Sequence, residues 1–126
     1  MNITFNFKKH KDAQDMIRRI MRDKELTVED AIRFSITKEN FGKIVNYGWA
    51  RIAVSIWGHG ELDFKELLLD KTSVSVELSD EQQQIFSFIK ADCASMTGKC
   101  HQNYDIDIDV LSQFLIFTMD DLGYHI

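Results

Sequence analysis

Asp105, Asp107 and Asp109 stand at alternate positions, the spacing at which a calcium-binding loop presents its first three carboxylates. The residues that follow do not support that chemistry. Val110 occupies the place of the glycine such a loop needs for its sharp turn, and Ile116 that of the closing bidentate glutamate. Cys93, Cys100 and His101 offer metal ligands in a C-x6-C-H spacing, but only His125 follows them, so a four-ligand zinc site is not expected. Cys93 falls on the apolar stripe of a predicted helix and reads as a buried thiol. Neighbours such as Cys100 and His101 seldom reach base–nucleophile geometry. His59 lies between Gly58 and Gly60, with no Ser, Cys or carboxylate partner set by spacing. Gly98-Lys99 lacks the preceding glycine and the following Ser/Thr of a phosphate loop. The expectation is no metal, no cofactor and no enzyme, with a small enzyme using His59 and His101 as the most distant alternative.

Charge carries more information than these motifs. Residues 1–60 hold 11 Lys/Arg against 7 Asp/Glu, whereas residues 61–126 hold 4 against 13, within a net charge of −5. Lys8, Lys9, Lys11, Arg18, Arg19 and Arg22 form a basic patch on the first helix. Such a patch gains affinity for phosphates by releasing counterions, but it lacks interleaved aromatics and belongs to an acidic chain. Asp105, Asp107, Asp109, Asp120 and Asp121 gather in the last 22 residues. Asp120 and Asp121 sit near a helix end where the dipole disfavours negative charge, which suggests that something other than helix stability keeps them there. The expected function is therefore that of a small acidic cytoplasmic protein that binds and neutralises a basic protein partner. In its most concrete form it is an immunity or inhibitor protein of a nuclease-type toxin, whose active site is basic because it receives phosphate. The alternative is a nucleic-acid-associated regulator using the basic N-terminal helix.

The elements that must position these groups follow from periodicity. At 126 residues, 44% hydrophobic and 28% charged, the chain is expected to form a single globular domain over residues 1–126. No signal peptide and no apolar run of about 18 residues is evident, so no membrane contact is expected and the cysteines are expected to be free thiols. Residues 2–7 (NITFNF) and 73–78 (SVSVEL) alternate as strands that could pair. Ala13, Met16, Ile17, Ile20 and Met21 mark a surface helix with one buried face, and Asp15 lies outside that stripe. Thr27 with Asp30 resembles a capping box, Thr37 is a candidate cap for the next helix, and Ser79 with Gln82 is a true capping box. Residues 39–57, apolar nearly all round and containing both tryptophans, predict a central buried helix. Asp109 is a candidate cap for a last helix. The expected fold class is α+β, with about five helices around the 39–57 helix and a small sheet from 2–7 and 73–78; an all-α bundle is the alternative.

Overall fold

Ile3 and Phe5 alternate with Asn2, Thr4 and Asn6 along β1 (Asn2–Asn6), and Val74 and Val76 alternate with Ser73, Ser75 and Glu77 along β2 (Ser73–Glu77). The strands pair antiparallel, with Phe5 opposite Val74 and Ile3 opposite Val76. Phe5, Val74, Val76 and Leu78 are buried, while Thr4 Oγ1 and Ser75 Oγ meet at 2.7 Å on the outer face. The computed structural model describes residues 2–46, 73–97 and 106–124. Within them the fold is α+β, with five helices and this two-stranded antiparallel sheet.

β1 stops one residue short of the expected strand because the Asn6 side chain accepts the Lys8 N–H at 3.1 Å. Phe7–Lys9 becomes a 3-10 turn that still buries Phe7 completely. His10 then caps α1 (Lys11–Lys24), its Nδ1 accepting the Ala13 N–H at 3.0 Å. Gln14 and Asp15 are buried along with Ala13, Met16, Ile17 and Ile20. The buried arc of α1 is thus wider than the single face expected, in keeping with its packing against both α2 (Val28–Ser35) and α5 (Ile106–Asp121). Glu25 takes a left-handed conformation (φ 55°) to end α1, and Leu26 N–H reaches Met21 O at 3.0 Å. Thr27 caps α2 as its sequence implied, accepting the Asp30 N–H at 3.2 Å.

Helical residues 38–46 form α3, capped by Thr37 Oγ1 on the Asn40 N–H at 3.2 Å. Asn40 and Ile44 are buried, Phe41 is half-buried, and Val45 and Asn46 are exposed. The rest of the expected central helix, 47–57 with Trp49 and Trp57, lies outside the described residues. Among those described, the helix enclosed on every side is α5, whose twelve residues from Ile108 to Met119 are all buried. Twelve successive helical positions cover every azimuth, so α5 needs neighbours all around it. It packs against α1, α2, β1 and α4 (Asp80–Thr97).

Two polar junctions fix the helices relative to one another. Ser79 and Gln82 form the reciprocal capping box, each accepting the other's backbone N–H at 3.1 Å. Gln82 Nε2 also donates to Arg33 O at 2.9 Å and Ile36 O at 3.2 Å, so one side chain serves the start of α4 and the end of α2. At the second junction Asn40 Nδ2 donates to Ser35 O at 2.8 Å and to Thr118 Oγ1 at 2.9 Å, tying α3 to α2 and α5. Phe86 links the layers, meeting Phe5 edge-on at 5.6 Å and stacking on Phe114 at 6.4 Å.

Candidate functional site

The five aspartates of the expected acidic face do not form one surface. Asp105 lies outside the described residues. Asp107 is half-buried, with Lys90 Nζ of α4 at 2.8 Å from its Oδ1. Asp109 is only 7% exposed and sits inside the first turn of α5 rather than capping it, because the helix already begins at Ile106. That corrects the expectation for Asp109, which is part of the interior and not of a docking face. Asp120 and Asp121 are exposed, but they lie at the other end of α5, about 20 Å from Asp107 at 1.5 Å per residue.

The exposed pair instead joins a cluster built on α3. Residues 39 and 43 are one helical turn apart and face the end of α5. Lys43 Nζ lies 2.7 Å from Asp121 Oδ1 and 3.6 Å from Glu39 Oε1. The contact with Asp121 raises the Lys43 pKa above its ordinary value, partial burial opposes the rise, and the charges of Asp121, Glu39 and Asp120 reinforce it. Among the described residues, Lys43 pairs with Glu39 and Asp121, and Asp120 adds a third negative charge nearby.

The opposite flank of α3 is apolar and faces α4. Phe41 and Phe88 meet edge-to-face with centroids 5.4 Å apart, and Lys38 Nζ approaches Glu81 Oε2 at 3.5 Å on the same side. Phe88 is 58% exposed and Val45 53% exposed, so the aromatic pair and the valine beside it form an apolar surface patch. One exposed aromatic ring, one half-buried ring and an exposed valine thus lie on one flank of α3, and the carboxylates lie on the other. Phe41, Val45 and Glu39 were legible only as parts of a buried helix. Phe88 did carry a signal, since it lies about 100° off the centre of the Ile85–Phe86–Ile89 stripe.

The basic patch is drawn partly into internal contacts. Lys8 and Lys11 are exposed and Arg18 is half-buried, while Lys9 ends the 3-10 turn. Arg22 Nη2 donates to the Tyr124 hydroxyl at 3.3 Å, that hydroxyl donates to Asp23 Oδ2 at 2.6 Å, and the Arg19 guanidinium lies 5.7 Å from the Tyr124 ring centre. Asp15, within the same helix, is 6% exposed with Oδ2 unpartnered. Burial pushes its pKa up to about 6; Asp12 adds to the rise, and Lys11, Arg18 and Arg19 oppose it.

His59, Cys100, His101 and His125 lie outside the described residues. Among the described residues, no group of three or more His, Cys, Asp or Glu is arranged to hold a metal ion, and no helix is long and apolar enough to cross a membrane. No protein-family model matches the chain, and neither the curated proteins nor the solved structures yield a match.

Proposed function

We propose that this chain is a cytoplasmic, non-catalytic protein that binds a basic protein partner through the face formed by α3, α4 and the end of α5, and neutralises it by covering its basic surface. The observation that carries this reading is the exposed Phe88 and Val45, with the half-buried Phe41 against Phe88, and the Glu39–Asp120–Asp121 cluster on the other flank of α3. Buried aromatics supply most of the affinity of typical interfaces, and a surplus of negative charge at the rim speeds encounter with a positive surface. A nuclease-type toxin, whose active site is basic so that it can receive phosphate, is the most concrete partner of that chemistry, and the chain is then its immunity protein.

The test is affinity capture by the tagged chain from its native host, eluted in steps of rising salt, alongside Phe88→Ala and the triple change Glu39→Lys, Asp120→Lys, Asp121→Lys. The expected result is one stoichiometric basic protein with the unmodified chain, lost with either variant, and a nuclease activity in that protein that the unmodified chain suppresses. Recovery of nucleic acid in place of a protein would overturn the proposal.

A further inference from the structure

We infer that Tyr124 and the arginines of α1 form a binding site for single-stranded nucleic acid. The inference does not rest on the protein-binding reading above. A site for single strands needs cations for the phosphates and an aromatic ring on which a base stacks. The basic patch on α1 has the first and, along the chain, lacks the second: no Phe, Trp or Tyr lies between Lys8 and Arg22. The tertiary structure supplies the missing ring, bringing Tyr124 to Arg22 from 102 positions away.

Gly123, with φ 93°, reverses the chain after α5, and Tyr124 N–H closes the turn on Met119 O at 3.0 Å. The Tyr124 side chain is thereby set against the last turns of α1. Its hydroxyl donates to Asp23 Oδ2 at 2.6 Å and accepts from Arg22 Nη2 at 3.3 Å, and the Arg19 guanidinium lies 5.7 Å from the ring centre. Arg22 Nε is 3.5 Å from Asp23 Oδ1, so one carboxylate holds both the ring and a guanidinium in place. Groups ordered in advance lose less freedom when a ligand arrives. Arg18 lies one turn before Arg22 on the same side of the helix, and the exposed Lys8 and Lys11 carry the positive charge towards its start. The Arg22 side chain is 55% exposed, and Arg18, Arg19 and Tyr124 are half-buried, so all four residues reach the surface. A base stacks on the Tyr124 ring while the phosphates on either side of it meet Arg18, Arg19 and Arg22. Stacking and charge accept every base, so the site binds single strands without regard to sequence, with a dissociation constant of about 1–100 µM.

The experiment titrates the full chain into a fluorescein-labelled single-stranded DNA of mixed sequence, about 20 nucleotides long, and reads anisotropy from about 50 mM salt upwards. The expected result is saturable binding that weakens with salt. Tyr124→Ala is expected to weaken it about fivefold or more, whereas Tyr124→Phe, which keeps the ring, stays within about threefold. The double change Arg19→Gln, Arg22→Gln is expected to flatten the slope of log affinity against log salt by about 1.4, the share of two phosphate contacts on a single strand. Absence of saturable binding, or Tyr124→Ala binding as well as the unmodified chain, overturns the site. Should Tyr124→Ala fail to fold by circular dichroism, the arginine pair decides, and an unchanged affinity and slope overturn the site. A duplex of the same sequence bound as tightly as the single strand also overturns it, because paired and stacked bases offer Tyr124 no face.

Discussion

The two ends of α5 carry the same residue type and treat it in opposite ways. At the first turn Asp107 is half-buried beside Lys90 and Asp109 is interior. At the last turn Asp120 and Asp121 remain at the surface, with Asp121 held by Lys43. The helix dipole accounts for part of this contrast. Its positive end offsets some of the cost of taking a carboxylate out of water, whereas its negative end adds to that cost and leaves solvent and Lys43 to stabilise the charge. Carboxylates at the favourable end are therefore drawn into the fold, and those at the unfavourable end stay at the surface.

The sharpest way to break this comparison is to make the same change at both ends. Asp109→Lys places a long cation in the interior and is expected to cost about 4 kcal/mol or to prevent folding, whereas Asp120→Lys is expected to stay within about 0.5 kcal/mol. Urea denaturation followed by circular dichroism measures both. Equal losses at the two ends would show that burial does not distinguish them.

A third carboxylate extends the comparison, because Asp15 is buried on α1 and its pKa stands near 6 in place of 3.8. A raised folded-state pKa penalises the ionised form. The penalty is absent below pH 3.8, grows as pH rises towards 6 and is complete above it. The stability of Asp15→Asn relative to the unmodified chain is accordingly expected to increase between about pH 4 and pH 7, by up to about 3 kcal/mol. Denaturation midpoints across that range decide it, and a difference independent of pH would place the ionised carboxylate in a solvated site.

Gln82 tests the junction that joins the start of α4 to the end of α2. Gln82→Ala removes the side-chain half of the capping box and both donors to the end of α2, at an expected cost of about 2 kcal/mol. An unchanged urea midpoint would mean that water replaces all three contacts without loss. The smallest effect belongs to the proposed contact face. Lys43→Met frees Asp121 and Glu39 and is expected to change stability by less than about 1 kcal/mol, while making association with a basic protein faster. Stopped-flow mixing at low and high salt reads that change, and a slower association would show that Lys43 itself contacts the partner.

Much of the site was hidden in the sequence because exposure is not a local property. Asp120 and Asp121 were identified from their position at a helix end, which the one-dimensional pattern does show. Asp109 was grouped with the acidic face because it is one of five aspartates in the last 22 residues and a candidate helix cap; on a helix that begins at Ile106 the same residue enters the interior. Phe41 and Val45 are residues of core type, and only tertiary packing leaves Val45 and Phe88 at the surface with Phe41 half-buried. Glu39 was identifiable as an early helical residue, but its company with Asp121 joins parts of the chain 82 positions apart.

Local elements, by contrast, follow from residue type and spacing. The strand alternations, the Thr27, Thr37 and Ser79–Gln82 caps and the apolar stripe of α4 act over a few residues, where side-chain direction and nearby N–H groups decide the backbone. Even the missed His10 cap is of this kind, although histidine lies outside the usual set of capping residues. Tertiary packing decided which helix is enclosed on every side, which carboxylates enter the interior and which aromatics stay outside. Those outcomes depend on how many neighbours each face acquires, and burial is a sum over neighbours that no single stretch of chain contains.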